Sequence, residues 1–569
     1  MDFTPREIDA ERAARYVREG YWDDQSLGAI LADGLRDAAT LPFTVRSDRN
    51  PYRGTLGDVD ALARRVAAGM RARGVKPGDA IAFQLPNWLE AAATFYAIAY
   101  LGAVVVPIVH FYGPKEVAYI LRKTRVKALV TADHFGAQDF LANLDSMRGD
   151  LPDLEWVAVV GGDPRPGDLR FDELTNDGSL DELSPVDPSE PALVAYTSGT
   201  TSDPKGVVHA HRTIGAEIRQ LGSIQPFAGL DQHGKPPALS VAPPSITGAP
   251  VGHGIGMLAA LLMPVHGRRP IHLIDVWDPK RVLQAMLEEG CSAGQGATVF
   301  LTSLLDHPDF DPVRHVAFMP VIGLGGAAVP AAVGERAERL GITTTRSFGS
   351  TEHPSITGCS AQAPREKRLN TDGAPLPGVE IRLVDDDGLD VELGEPGEIW
   401  SRGPDCFVGY TDPVVTQAAF SPDGWFMTGD VGVLDADGYL AITDRKKDII
   451  IRGGENVSAA EVEEILVRMP GVAEVAVVAA PDARLGEIGC AHFRMLAGAS
   501  APDLGAVRAA LEQAGLARQK WPELDRVVGE FPRTPSGKIQ KFVLRERLRA
   551  EGARVKGPRV EGPRVEETP

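Results

Sequence analysis

The sequence predicts an α/β protein, with a large N-terminal domain of layered β-sheets and helices and a small α+β C-terminal domain. Three observations carry this. Segments with helical apolar spacing alternate with short β-branched runs before Asp444, the pattern of helices packed on sheets. At Asp444-Arg445-Lys446-Lys447-Asp448 a dense charged run interrupts that alternation, and a new strand and helix follow. The 569 residues exceed what one hydrophobic core holds.

The chain is loosely amphipathic before Asp58. Residues Val59 to Arg73 then carry apolar side chains at helical spacing, and Lys76-Pro77-Gly78 is a turn into the strand Ala80 to Leu85. The uncharged stretch Ala91 to Val109 is about as long as a membrane span. Gly102 and Pro107 interrupt it, and its Ala-rich half gives way to Val-rich residues. A buried helix followed by a core strand is therefore expected. A helix over Lys115 to Arg122 and a strand over Ala128 to Thr131 repeat the alternation. Further strands are expected at Val157 to Val160, Val316 to Ile322 and Glu380 to Val384, then Ile449 to Ile451 and a helix over Ala459 to Met469. The expected domain limits are 1–445 and 446–548. A tail over 549–569, in which Gly-Pro-Arg-Val-Glu occurs twice, is too poor in apolar residues to pack and is expected to be disordered.

A formal charge of −19 and a pI near 5.2 disfavour nucleic acid or an anionic membrane as the main partner, while leaving room for local basic pockets that hold nucleotides. Cys291, Cys359, Cys406 and Cys490 lie far apart without metal or disulfide spacing, which fits a reducing cytosol. The start Met-Asp-Phe-Thr-Pro-Arg-Glu lacks the apolar segment of a signal peptide. A cytoplasmic protein without integral membrane contact is expected, with a homodimer left open.

The chemistry begins at Tyr196 to Gly206, Tyr-Thr-Ser-Gly-Thr-Thr-Ser-Asp-Pro-Lys-Gly, after the apolar run Ala192 to Ala195. Gly199 and Gly206 allow close backbone approach to an anion. Thr197, Ser198, Thr200, Thr201 and Ser202 offer hydroxyl donors, and Lys205 supplies charge. Its spacing is not that of a Walker A loop. Taken alone, such a stretch reads more readily as a polar surface turn.

Five later segments have the same nucleotide-site character: Gly325-Gly326-Ala327, Phe348-Gly349-Ser350-Thr351-Glu352, Gly424 to Asp430, Asp444 to Asp448, and Pro535-Ser536-Gly537-Lys538. In this order the six segments resemble the adenylate-forming superfamily of acyl-CoA synthetases, luciferases and peptide-synthetase adenylation domains. The resemblance covers roughly residues 25 to 548. It implies ATP-dependent activation of a carboxylic acid to an acyl-adenylate, then thioester formation with CoA, with Mg2+ as the metal.

The resemblance also implies residue roles. The loop Thr197 to Lys205 would cradle the β and γ phosphates, Gly349, Ser350 and Thr351 would contribute to nucleotide binding, and Thr197 and Glu352 would hold Mg2+, a hard cation suited to oxygen ligands. Phe348 would stack on adenine opposite Gly325, Gly326 and Ala327. Asp430 would accept the ribose hydroxyls, and Arg445 would add ribose or phosphate contacts. Lys538 would bridge the substrate carboxylate and the α-phosphate as a mobile point charge. Lys447 matches the hinge about which a mobile C-terminal domain turns, bringing Gly453-Gly454-Glu455-Asn456 to the site for the second half-reaction.

The chain departs from the superfamily pattern at Ser202 and at Asp444, where glycine is usual; both replacements are compatible with turns. Ser245 stands where a His or an ammonium-binding Asp is common, which argues against amino-acid activation. The nearby His253 is open to either an aromatic-gate or a plain structural role. The candidate pocket segments Ile246 to Met257, Gly294 to Thr298, Gly323 to Ala327 and Phe348 to Pro354 are mainly apolar and suit a neutral organic acid, whether fatty, alicyclic or aromatic. The competing readings are an acyl-AMP ligase serving a carrier-protein thiol, a luciferase-type oxygenase and a catalytically inactive nucleotide sensor. The absence of a large insertion between Glu352 and Asp430 favours CoA, and the presence of Lys538 and Glu352 argues against the sensor.

Overall fold

The computed structural model describes residues 3, 5–197, 204–224, 244–326, 329–445, 448–452, 455–482, 485–514, 516, 518–534 and 537–555. The chain divides into two compact units. One comprises Met1–Thr428, Gly432–Ile442 and Pro535–Gly537; the other comprises Gly429–Val431, Thr443–Thr534 and Lys538–Pro569.

The larger unit is built around an eight-stranded sheet. Its order is Gly409–Tyr410, Lys205–Ala210, Pro191–Thr197, Val104–Pro107, Ala80–Gln84, Ala128–Ala132, Trp156–Val160 and Leu169–Arg170. From Pro191–Thr197 to Leu169–Arg170 the neighbours are parallel, whereas Lys205–Ala210 runs antiparallel to both of its neighbours. The parallel strands are nearly uniform apolar runs because both faces are covered.

The uncharged stretch after residue 90 forms the helix Leu89–Tyr100 and the strand Val104–Pro107. Every residue from Ala91 to Tyr100 is buried, since this helix packs against the helices Leu27–Asp37 and Leu56–Ala72. Complete burial accounts for the absence of charge. The hydroxyl of Tyr96 is satisfied by donating to the Leu261 carbonyl. Among the described residues no helix is long and apolar enough to cross a membrane. The helix Leu56–Ala72 begins with a reciprocal cap in which the side chains of Thr55 and Asp58 each accept from the other's backbone amide.

Three four-stranded sheets, with a two-stranded hairpin of His134–Phe135 and Gln138–Asp139, accompany the eight-stranded sheet among the described residues before the C-terminal part. One has the order Ser245–Thr247, Ile271–Ile274, Pro42–Arg46, Tyr52–Thr55, and the second Val321–Leu324, Thr343–Phe348, Thr357–Gly358, Ala374–Pro375. The third has the order Glu380–Val384, Gly397–Arg402, Phe426–Leu434, Leu440–Arg445. In the second, Val321–Leu324 and Thr343–Phe348 are parallel, so the glycine pair after Leu324 and the motif after Phe348 leave the same end of the sheet.

The smaller unit has a five-stranded sheet of Glu455–Val457, Ile450–Arg452, Gly486–Met495, Val472–Asp482 and Leu524–Val527. Its helices are Ala459–Leu466, Leu504–Gln513 and Lys541–Val555. Asp444, one of the departures noted above, is buried and accepts from the Ala459 amide at 2.7 Å. It thereby binds a free amide at the start of that helix.

The structure corrects several expectations. Val316–Phe318 is a 3-10 turn and the strand starts only at Val321, because Pro320 has no amide to donate to a ladder. The helix expected to reach Met469 ends at Leu466. Residues 549–555, expected to begin the tail, instead continue the last helix, which runs to Val555. Leu544 and Leu548 are buried and Glu551 pairs with Arg526 at 3.0 Å, which holds that helix in place. The N-terminal region, read only as loosely amphipathic, contains the helices Ala10–Arg18 and Leu27–Asp37 and the strands Pro42–Arg46 and Tyr52–Thr55. The repeat from Gly557 lies outside the described residues.

Candidate active site

The hydroxyl-rich loop after Thr197 is the connection of a hairpin. Pro191–Thr197 and Lys205–Ala210 pair antiparallel with Thr197 opposite Lys205, so the first and last residues of the loop are neighbours. Ser198, Gly199, Thr200, Thr201 and Ser202 lie outside the described residues. The Lys205 ammonium sits 5.2 Å from the centre of the Tyr410 ring. Gly206 carries no side chain because a Cβ there would meet Thr411 and the Tyr196 ring at 2.8 Å.

The segment Phe348 to Ser355 is a tight turn fixed from several sides. Phe348 ends the strand Thr343–Phe348 and pairs with Thr357. The residue is 8% exposed and packs with Ile356, Leu376, Val379 and Ile399, so most of it belongs to the core beneath the motif. The adenine-stacking role implied by the resemblance would therefore use only a small exposed edge. The Ser350 amide donates to the His353 carbonyl at 2.9 Å, and the Ser350 hydroxyl accepts from the His353 amide at 3.3 Å. A Cβ on Gly349 would lie 1.9 Å from the Pro354 carbonyl oxygen, so only glycine fits this closure.

Residues outside the six motif segments surround the turn. His209 donates through Nε2 to the Thr351 carbonyl at 2.7 Å, and burial lowers the pKa of its imidazole. His353 is wholly buried, with Nδ1 2.9 Å from Ser401 Oγ and Nε2 3.1 Å from Asp405 Oδ1. Ser355 donates to Glu217 Oε1 at 2.7 Å. Burial, reinforced by the Asp405 charge, pushes the Glu217 carboxyl well above the usual glutamate range. The second oxygens of Glu217 and Asp405 are both buried and lack a donor among the described residues. Burial and the Asp405 charge together favour the protonated form of Glu217.

Glu352 is anchored at both ends. Its carbonyl accepts from the Phe407 amide at 2.8 Å, and its carboxylate accepts from the Tyr410 hydroxyl at 2.8 Å. One carboxylate oxygen is thus held by a phenol, leaving the other for a hard cation. No group of three or more His, Cys, Asp or Glu side chains arranged to hold a metal occurs among the described residues. The donor chemistry suits Mg2+ bound mainly through nucleotide phosphates with one carboxylate and one hydroxyl.

The candidate pocket segments converge. The Gly325 amide donates to the Gly296 carbonyl at 3.0 Å, and the Gly296 amide donates to the Gly323 carbonyl at 2.9 Å. Gly326 has φ +76°, and a Cβ there would lie 2.4 Å from Ile255 Cδ1. Ala327 lies outside the described residues. Asn87, also unanticipated, pins the neighbouring loop by accepting from the Val251 amide and donating to the carbonyls of Ala249 and Ile274. His253 caps the short helix Gly254–Met257 through a 3.4 Å bond from the Ile255 amide. Ser245 opens the strand Ser245–Thr247, is bridged to Ser292 and is partly exposed.

Asp430 is buried within the strand Phe426–Leu434, and Arg445 ends the strand Leu440–Arg445. The Arg445 side chain, Lys447, Gly453, Gly454 and the side chains of Glu455 and Asn456 lie outside the described residues. Lys538 closes a small turn, its amide donating to Thr534 Oγ1 at 3.1 Å and its carbonyl accepting from the Thr534 amide at 2.7 Å. The helix starting at Lys541 is tied down by a buried pair between Lys541 and Glu463 at 2.8 Å.

Comparison with known proteins agrees with this arrangement. Residues 37–411 match the family described as AMP-binding enzyme, and residues 461–538 match the AMP-binding enzyme C-terminal domain. A medium-chain fatty-acid–CoA ligase of Escherichia coli (strain K12) is 33% identical over 545 residues, covering 95% of this chain and 93% of the relative. A 7a-methyl-1,5-dioxo-octahydro-indenyl-propanoyl:CoA ligase of Rhodococcus jostii (strain RHA1) is 35% identical over 496 residues, 85% of this chain and 92% of that one. The crystal structure of the anthranilate CoA ligase AuaEII in complex with anthranoyl-AMP superposes with a TM-score of 0.81 at 25% identity, covering 93% of this chain and 98% of that one. With both domains matched in order, the chain belongs to the AMP-binding enzyme family, within the adenylate-forming superfamily of acyl-CoA synthetases.

Proposed function

We propose that this AMP-forming acyl-CoA synthetase accepts a neutral fatty, alicyclic or aromatic carboxylic acid, forms its acyl-adenylate from ATP, and transfers the acyl group to CoA. The observation that carries the reading is the placement of the motifs at strand ends. Thr197 ends a strand that runs parallel to Val104–Pro107, and Gly325 and Gly349 follow the ends of two neighbouring parallel strands. Carboxyl ends of parallel strands are where α/β proteins bind nucleotides. The wall made by Ile255, Gly296 and Gly326 is uncharged, and Ser245 offers no carboxylate for an ammonium group. The relatives named above act on fatty, alicyclic and aromatic acids, which supports the same breadth here.

In this reading the hairpin loop from Thr197 to Lys205 binds the β and γ phosphates, and Thr197 and Glu352 hold Mg2+. Asp430 binds ribose, Arg445 adds ribose or phosphate contacts, and Lys538 meets the reacting carboxylate and α-phosphate. Bound Mg2+ would neutralise phosphate charge during displacement of pyrophosphate. The domain limits 1–445 and 446–548 and the hinge at Lys447 belong to the same proposal.

Pyrophosphate release over a panel of acids, with and without CoA, tests it. Neutral acids should support release and yield CoA thioesters, whereas free α-amino acids should not. Ser245→Asp should impair neutral acids by placing a charge beside their apolar groups. A wild-type enzyme that prefers an α-amino acid to every neutral acid overturns the reading.

A further inference from the structure

We propose that Tyr410 is a positioning residue that couples the metal carboxylate Glu352 to the phosphate-loop lysine Lys205. The inference rests on the roles assigned above to those two residues and goes beyond them, since Tyr410 lies outside all six motif segments.

Two contacts leave the same aromatic side chain in different directions. Its hydroxyl donates to Glu352 Oε1 at 2.8 Å, and its ring lies 5.2 Å from the Lys205 ammonium. A phenol is a neutral hydroxyl donor at working pH. A neutral donor on one oxygen fixes the carboxylate rotamer without neutralising its charge. The ring face meanwhile attracts the lysine electrostatically.

The backbone makes the linkage rigid. Tyr410 pairs with Val207 in the strand leaving the phosphate loop, and the Thr411 amide donates to the Gly206 carbonyl at 2.8 Å. The Tyr410 amide donates to Thr416 Oγ1 at 2.8 Å, and that hydroxyl lies 3.2 Å from the Tyr410 carbonyl. Phe407 packs edge-on against the ring with centroids 4.8 Å apart, and the Phe407 amide holds the Glu352 carbonyl. The same short segment therefore fixes both the main chain and the side chain of Glu352. Tyr410 is only 4% exposed, so its ring and hydroxyl are held in place by the surrounding core.

The test separates hydroxyl from ring. Tyr410→Phe keeps the ring and removes the donor, so the Mg2+ concentration for half-maximal ATP–pyrophosphate exchange should rise about tenfold, the lower range for loss of a partner to a metal-binding carboxylate. Its kcat at saturating Mg2+ should stay within a few-fold of wild type. Tyr410→Leu removes both features and should in addition raise KM for ATP several-fold. Lys205→Met should give a KM increase that is not additive with Tyr410→Leu, because both disrupt one contact.

Glu352→Gln is measured alongside to keep the two ideas distinct. If Glu352→Gln shifts the Mg2+ titration and Tyr410→Phe does not, the positioning role is overturned and the metal assignment stands. An unshifted Glu352→Gln titration overturns the metal assignment itself. Additive KM increases in the Lys205→Met/Tyr410→Leu pair overturn the coupling to the loop. Thermal melts of each variant identify losses that arise from misfolding, and supplying extra Mg2+ should rescue Tyr410→Phe but not a misfolded protein.

Discussion

Gly349→Ala gives the most direct test of how closely the turn bearing Glu352 controls catalysis. The added Cβ would start 1.9 Å from the Pro354 carbonyl oxygen and 2.5 Å from its carbon, whereas real Cβ atoms essentially never approach below 3.0 Å. Both obstacles are backbone, so no side-chain rotation relieves the overlap. The turn must open by about 1 Å, the difference between the observed and tolerated distances. Opening strains the Ser350–His353 closure, and overpacking of this kind costs about 1–3 kcal/mol. A protein of this size should survive that loss. Catalysis should not, because about 1 Å of misplacement in a reacting array lowers rate on the order of a hundredfold. Circular dichroism and thermal melts should show a folded variant, while acid-dependent pyrophosphate release falls by about two orders of magnitude. A folded Gly349→Ala enzyme with wild-type kcat and Mg2+ dependence would show that the turn does not position the reacting groups.

Lys538→Ala should reduce acyl-adenylate formation by orders of magnitude and spare conversion of supplied acyl-adenylate to the thioester; equal loss in both assays would reassign the lysine to structure. Lys447→Pro fixes φ near about −65° and should slow thioester formation far more than adenylation, and unchanged rates in both would remove the hinge from residue 447. Glu217→Gln should stabilise the protein at neutral pH, because folding raises the Glu217 pKa and keeps that group protonated where the unfolded chain has already ionised. Stability linked to this group is present below about pH 4.3 and is lost as pH rises toward the folded value, at about 1.4 kcal/mol per pH unit. Urea melts should therefore show a gap between variant and wild type that widens with pH, and a pH-independent gap would refute a proton on Glu217.

The sequence was most informative where interactions are local or periodic. The alternation of helix and strand, the uncharged helix before Gly102 and the strand entering the phosphate loop all follow from side-chain spacing over a few residues. Val316 to Ile322 misled because β-branched residues surround a proline whose missing amide decides the geometry. The partners of the Glu352 turn were invisible for a different reason. Glu217 and Ser355 are separated by 138 positions, and His353 and Asp405 by 52, so no window on the chain presents them together. Buried polar residues such as Glu217 and His353 also look like ordinary surface residues until burial is known. Only adjacency offered a hint, since His353 follows Glu352 directly.

The N-terminal segment shows how far the support of a local motif extends. Residues 404–408 have backbone groups that no strand ladder satisfies within that stretch, and buried groups of this kind need partners. Trp22 Nε1 donates to the Pro404 carbonyl at 2.8 Å, while Arg6 donates through its amide to the Val408 carbonyl at 2.8 Å and through Nε to the Phe407 carbonyl at 3.1 Å. Those same few residues supply Asp405 to His353 and the Phe407 amide to Glu352, and Tyr410 follows directly. The amphipathic start of the chain thus acts as a strap behind the segment that holds the Glu352 carboxylate. Its helix Ala10–Arg18 buries only Tyr16, and Tyr16 and Trp22 pack edge-on with centroids 4.9 Å apart. The position of Glu352 is therefore determined by contacts reaching residues more than three hundred positions away. This explains why a motif five residues long identifies the chemistry without containing the structure that makes it work.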